Sequence, residues 1–154
     1  RATSAAPTYF EPALIDVQGS QRALIDGGVF VNSPVVSSYA EGLKLFPGEP
    51  VAVVSLGTGE LIRRIPYETA KDWGQAGWVS PLIDCMFDGA TKVANHQMRM
   101  FLGDHYFRLQ VTLDEANDDM DDATEVNIQN LKRIAERMIA ENRSTLDRIL
   151  DVVA

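Results

Sequence analysis

The sequence predicts an α/β fold on three observations: short apolar runs that stop at glycine turns, a Ser-Pro helix start after the first of them, and helical apolar spacing through much of the second half. Ala23-Leu24-Ile25 stops at Asp26-Gly27-Gly28, the pattern of a buried strand ending in a tight loop. Ser33-Pro34 then supplies an N-cap and a first helical position for a helix through about Phe46. Pro47-Gly48-Glu49-Pro50 ends it. Val51-Ala52-Val53-Val54-Ser55-Leu56 follows as a β-branched run of the kind buried on both faces of a parallel sheet, closed by Gly57-Thr58-Gly59.

From Tyr67 to Leu102 the composition turns helical. Trp73-Gly74 and Gly77-Trp78 read as a turn between two segments, and Ser80-Pro81 as the start of the second. That second helix is apolar around more than one face, from Leu82 and Ile83 through Met86, Val93 and Met98 to Phe101, so it is expected to be buried or to line a pocket. His105 to Leu113 alternates polar and apolar residues, as a strand with one wet face does. After an acidic loop, Glu125 to Ala140 has helical spacing, and Leu146, Ile149, Leu150 and Val153 repeat it in a last short helix.

With 154 residues and 45% hydrophobic composition, the chain can bury roughly two-thirds of its unfolded surface, enough for one domain. The formal charge of -8 excludes nucleic acid, and an anionic lipid surface held by charge alone, as expected partners. One cysteine, Cys85, excludes an internal disulfide, and with only His96 and His105 as further soft ligands no zinc spacing exists. No apolar run approaches the roughly 20 residues of a transmembrane helix. The expectation is a soluble, cytoplasmic chain, with any membrane contact peripheral and apolar. It opens at Arg1 directly into Ala2-Thr3-Ser4, with no signal-like segment, as a fragment or a cleaved chain would.

The sharpest local signal is Leu24-Ile25-Asp26-Gly27-Gly28-Val29. A carboxylate at the end of a core strand is held rigidly, and the two glycines let other backbone approach it, which suits a general base. Asp-Gly is also a common turn dipeptide, so Asp26 as a plain turn cap stands beside that reading.

Several phrases together resemble the patatin family of lipid acyl hydrolases: Ala2-Thr3-Ser4-Ala5-Ala6-Pro7-Thr8-Tyr9-Phe10, Asp26-Gly27-Gly28, Ser55-Leu56-Gly57-Thr58-Gly59, Trp73-Gly74 and Met120-Asp121-Asp122-Ala123-Thr124, in the family's order and extending to about Leu131. The resemblance implies a mainly parallel sheet flanked by helices, with residues 1–154 as the C-terminal portion of one patatin-like domain. It implies ester hydrolysis of phospholipid or other acyl lipids by a serine-aspartate dyad, with Asp26 as the base and Gly27 and Gly28 as its active-site loop, and no metal or organic cofactor. The serine, on a Gly-x-Ser-x-Gly elbow, and the glycine-rich oxyanion loop do not occur here. Val53-Val54-Ser55-Leu56-Gly57 comes nearest and has Val where the elbow needs glycine. The chain alone is therefore expected to be inactive, and its partner to be a missing N-terminal half of the same domain. The rival expectation is a non-catalytic binding or scaffolding segment of a degenerate or cleaved relative.

Other features carry blander readings. Gly57-Thr58-Gly59 lacks the third glycine of a dinucleotide loop and any following Gly-Lys-Ser/Thr, so it is read as a strand exit. The acidic stretch Asp114 to Glu125 lacks an EF-hand register, leaving a solvated loop in which Asp or Thr caps the next helix. Trp73 and Trp78 suit core packing, with a lipid-facing surface as the alternative. Neither His96 nor His105 has a spacing that ties it to Asp26. Asn142-Arg143-Ser144 matches a glycosylation sequon, relevant to a secreted chain.

Overall fold

Two residues make the first hairpin turn of the chain. Gln18 and Gly19 both adopt positive φ, 55° and 81°, which matches the twist of a two-residue hairpin, and the Asp16 carboxylate accepts from the Gly19 N–H at 2.8 Å. The turn joins β1 (Ala13–Val17) to β2 (Ser20–Leu24) in antiparallel register, Ala13 opposite Leu24. The computed structural model describes residues 1–153.

This hairpin corrects the expectation of a buried strand at Ala23-Leu24-Ile25. β2 ends at Leu24, pairs only with β1, and stands largely in solvent, with Ala13 the buried residue of the pair. An antiparallel pair commonly leaves one face wet. The expected parallel pairing is present further on, between β3 (Val53–Leu56) and β4 (Tyr106–Leu109), with Val53 opposite Tyr106 and an isolated parallel bridge from Glu60 to Thr112.

The burial of these two strands reverses what the sequence suggests. β3, expected to be covered on both faces, alternates, and Leu56 is 71% exposed because no further strand or helix covers that side. β4, expected to have one wet face, buries Tyr106, Phe107 and Leu109. Successive strand side chains point to opposite faces, so both faces of β4 are covered. Tyr106 joins Val35 and Met98 in the core, against Val36, Tyr39, Val53, Ala94 and Leu102, and Arg148 lies over the Phe107 ring at 5.4 Å on the other side.

The helices frame this core. α1 (Val35–Leu45) starts with Pro34 in the capping position and no side-chain cap bond, so the expected Ser33 cap is not made. α2 is the short turn Tyr67–Ala70. α3 (Gln75–Leu102) runs unbroken through Gly77, Trp78 and Pro81, which corrects both the expected turn at Gly77-Trp78 and the expected start at Ser80-Pro81. Pro81 is the seventh residue of α3, and the helical hydrogen bond it cannot donate is the one to the Gly77 carbonyl. Met98 is the fully buried residue of α3, while Leu82, Ile83, Met86, Val93 and Phe101 are exposed. The expected burial of this apolar helix is therefore confined to the face that carries Met98.

α4 (Glu125–Glu141) matches its expected span, and Thr124 caps it by accepting from the Asn127 N–H at 3.4 Å. α5 (Arg143–Val153) follows, with Leu146 and Ile149 half-buried and Leu150 exposed. The side chain of Val153, the last of that apolar repeat, lies outside the described residues. No described helix is long and apolar enough to cross a membrane.

Candidate active site

The loop after β2 is short and held at three points. The Asp26 N–H donates to the Ala5 carbonyl at 3.0 Å, which ties the buried Ala5 turn to the strand end. A single 3-10 turn, Gly27–Val29, follows, with the Phe30 and Val31 N–H groups both donating to the Gly27 carbonyl, at 3.0 and 2.9 Å. The Asp26 carboxylate caps this turn, its Oδ1 accepting from the Gly28 N–H at 2.7 Å. Two phrases separated by some twenty residues in sequence, Ala2 to Ala6 and Asp26 to Gly28, thus meet at one place.

Asp26 is half-buried, and its Oδ2 has no hydrogen-bond partner among the described residues. The two glycines differ. A Cβ on Gly28 would come within 3.1 Å of the Asp26 Oδ1 and 3.7 Å of the Asn32 Oδ1, whereas Gly27 has nothing within 4 Å. Gly28 therefore lets its backbone close on the carboxylate, and Asn32, which sequence reasoning did not single out, faces the same point. Around the loop Ile25, Val29, Phe30 and Val31 are exposed, Phe30 at 93%.

The other candidates separate from Asp26. Ser55 sits in β3 and its Oγ accepts from Arg108 Nη1 at 2.9 Å, a strand-to-strand tie. The Gly57-Thr58-Gly59 exit is consumed by structure: the Gly57 N–H donates to the Leu109 carbonyl at 2.8 Å and the Gly59 N–H to the Gln110 Oε1 at 3.0 Å. Gly59 has φ +96° and lies against Leu113, so no row of free N–H groups remains to cradle a phosphate. His96 is on α3 and His105 ends the 3-10 turn before β4; neither hydrogen-bonds Asp26.

Trp73 and Trp78 meet edge to face at 5.2 Å, with Gly77 beneath the Trp73 ring. Trp73, Leu61, Ile65, Pro81 and Cys85 line a hollow of about 350 Å³. The acidic loop forms no metal-holding group among the described residues. Its carboxylates are tied instead to Arg63, Arg133, Arg137, Asn117 and Thr124. The hydrogen bond and charge of Asp118 hold the Arg63 guanidinium above its ordinary value, and the Arg137 hydrogen bond holds Asp114 below its own. The sequon amide of Asn142 donates to the Met138 carbonyl at 2.9 Å.

Sequence reasoning missed a second concave place. A hollow of about 260 Å³ lies where the chain leaves β3 and β4, lined from α3 and from the residues after both strands. Its α3 contribution, Thr91, Lys92, Asn95, His96 and Arg99, is legible as polar residues at threefold and fourfold spacing, one face of a helix.

An α/β chain with a half-engaged carboxylate at a strand-to-glycine turn defines a class, and its relatives narrow it. Patatin-like protein 1 of Oryza sativa subsp. indica is 32% identical over 180 residues, covering 95% of this chain and 43% of that protein. Patatin-like protein 4 of Arabidopsis thaliana is 29% identical over 177 residues, covering 94% and 44%, and Patatin-2-Kuras 3 of Solanum tuberosum 27% over 165 residues, covering 90% and 43%. No family model and no solved structure matches the chain. The chain is similar to patatin-like proteins over nearly its whole length and spans less than half the length of the curated relatives it matches.

Proposed function

We propose that this chain supplies the general base of a lipid acyl hydrolase, with Asp26 serving a serine carried by a separate segment of the same domain. The observation that carries this is the asymmetry of the Asp26 carboxylate. One oxygen is anchored by the Gly28 N–H at 2.7 Å, and the other has no partner among the described residues. Anchoring fixes the orientation of the group, and the open oxygen is what a proton acceptor requires.

In the reaction the open oxygen takes the serine hydroxyl proton as the serine oxygen attacks the acyl carbon, and the carboxylic acid then returns it to the departing alcohol. Water, deprotonated by the same carboxylate, attacks the acyl-enzyme and releases the fatty acid, restoring the serine. No cofactor takes part. The missing segment is read as N-terminal to this one. Two features support the existence of a further segment: the relatives extend well beyond the matched region, and the apolar surface of the Asp26 loop and of α3 is uncovered.

The rival reading, in which Asp26 only caps its turn in a binding or scaffolding segment, is favoured by the same Gly28 hydrogen bond. Replacing Asp26 by Asn in the intact protein separates the two, since Asn keeps a cap acceptor and loses the basicity. The catalytic reading expects acyl ester turnover to fall by about a hundredfold to ten-thousandfold with little change in melting temperature. A variant that turns over normally per folded molecule leaves only the cap, a role that Asn keeps.

A further inference from the structure

The hollow at the ends of β3 and β4 has a chemistry that the Asp26 reading does not use, and Asp26 does not line it. It lies at the carboxyl ends of two parallel strands, the side on which open α/β sheets bind ligands. Glu60 reaches it from beyond β3, Arg108 and Gln110 from β4 and its exit, and Thr91, Lys92, Asn95, His96 and Arg99 from α3.

Its polar groups are biased toward donation. The Gln110 Oε1 is occupied by the Gly59 N–H at 3.0 Å and approached by the Val111 N–H at 3.3 Å, which leaves its amide nitrogen as an unpartnered donor. The Asn95 Oδ1 accepts from the Tyr106 hydroxyl at 2.5 Å, so its amide nitrogen is likewise left over. Arg99 has no ion-pair or hydrogen-bond partner among the described residues, and Arg108 uses one nitrogen on Ser55. Thr91 Oγ1 is the buried side-chain polar atom without a partner among the described residues, and Thr91 lines this hollow. A buried hydroxyl without a partner keeps its donor capacity.

The local charge balance agrees. Lys92 is engaged by Asp88 at 2.6 Å, and Glu60 offsets one of the two guanidiniums, leaving one positive charge and several neutral donors. This sits in a chain of net charge -8, whose overall field repels anions, so any anion held here is held by local donors rather than steered by the whole molecule. The volume of about 260 Å³ falls just below the range of about 300–1,000 Å³ typical of drug-sized ligands. It suits a phosphate with a small polar substituent.

We propose that the donors of Thr91, Asn95, Arg99, Arg108 and Gln110 form an anion site for a phosphate group, carried by a small soluble phosphate ester or by a phospholipid headgroup. Guanidinium and amide donors lining one hollow suit the oxygens of such a group.

The test is calorimetric titration of the intact protein with inorganic phosphate and with glycerol 3-phosphate, at constant ionic strength in chloride. Saturable binding of both is expected, with sulfate competing. Arg99→Gln should weaken phosphate about tenfold, the loss of one charge-assisted hydrogen bond. Thr91→Val keeps the side-chain shape, and should weaken phosphate roughly threefold without lowering the melting temperature, because the hydroxyl it removes is unpaired in the empty site. Association with phosphatidylglycerol vesicles that free phosphate displaces would assign the site to a lipid headgroup; phosphate binding without it would assign a soluble ester. Absence of saturable phosphate binding, or binding that both variants retain unchanged, overturns the proposal. Asp26→Asn should bind phosphate as the parent does, so failure of the catalytic reading and failure of this one are separate results.

Discussion

The loop before α4 and the loop after β2 are both acidic turns, and they treat their carboxylates in opposite ways. Before α4 the polar groups answer one another. Asn127, only 6% exposed, accepts from the Asn117 N–H at 2.8 Å and donates to the Asn117 and Asp122 carbonyls at 3.3 and 3.0 Å. Asp122 accepts from Thr124 and Asn117, Asp119 from Asn117, and the flanking Asp114, Glu115 and Asp118 each pair with an arginine. After β2 there is one carboxylate, half used, set among exposed apolar residues. The lesson is that acidic density does not mark chemistry. The dense loop spends its charges on holding itself together, and the sparse one leaves an oxygen open beside a surface suited to burial against something else.

The same division runs through the packing. If the β4 and α3 region is the self-sufficient part, Met98→Ala should be the most damaging single change, costing about 2–5 kcal/mol for a fully buried methionine. Phe30→Ala, at 93% exposure, should change the stability of this chain by no more than about 0.5 kcal/mol. Chemical denaturation of both variants checks the pair. Equal losses would mean that the Asp26 loop already packs as tightly as the core, and the contrast between the regions would fail.

Asn127→Ala comes next. It removes one acceptor and two donor contacts from a buried position and strands the Asn117 N–H, so a loss of about 1–3 kcal/mol is expected. Protease digestion should then cut first between Asp114 and Thr124. An unchanged melting temperature and an uncut loop would show that the network is decoration on a loop held by its arginine pairs alone.

How much of this was legible in the sequence follows from what each signal depends on. α4 was readable almost residue by residue because its amphipathic spacing and Thr124 cap are local properties. The Asp26 turn was readable for the same reason, and the Gly57-Thr58-Gly59 exit was readable as structure. The burial of β3 and β4 was not, because a strand's composition reports what it could be covered by, and the neighbours that decide it come from elsewhere in the chain. The β1 and β2 hairpin escaped because its turn is Gln18-Gly19 rather than the Asn-Gly or Asp-Gly that marks such turns. α3 was split wrongly because Gly77 and Pro81 are ordinary breaking signals. Gly77 is in fact the space into which the Trp73 ring packs. The donors of the second hollow, Thr91 to Gln110, belong to α3 and to β4 with its exit, and the packing of that helix on that strand brings them together, with Glu60 added from beyond β3.

A smaller effect sharpens the role of the Asp26 turn itself. Gly28→Ala forces a Cβ to within 3.1 Å of the Asp26 Oδ1, so the carboxylate must shift by a few tenths of an ångström or lose its backbone anchor. Gly27→Ala meets nothing. In the intact protein, Gly28→Ala should lower acyl ester turnover severalfold at nearly unchanged stability, and Gly27→Ala should leave both within about 0.5 kcal/mol of the parent. If Gly27→Ala is the more harmful, the open side of the loop is occupied by another segment, and the contact that matters is with that segment rather than with Asp26.

The smallest expected effect is a pH dependence that belongs to the self-sufficient loop. Hydrogen bonds from the Thr124 hydroxyl, then from the Thr124 backbone N–H and from Asn117, hold the Asp122 carboxyl below its ordinary 3.8. A carboxyl whose folded pKa is depressed contributes stability that is full above its unfolded value and is lost as pH falls through the folded one. The Asp122 contribution should therefore be constant from neutral pH down to about 4 and decline below that. Because the group lies at the surface, solvent and salt screen it, and the decline should shrink in high salt. Asp122→Asn keeps an oxygen that can accept from Thr124 but no longer titrates, so its stability should fall less than the parent's over the same acid range while matching the parent closely near neutrality. Melting temperatures of the two proteins at pH 7, 4 and 3 decide it. Parallel loss in both on acidification would place the acid sensitivity in other carboxylates, Asp114 beside Arg137 first among them, since the Arg137 hydrogen bond lowers that group in the same direction.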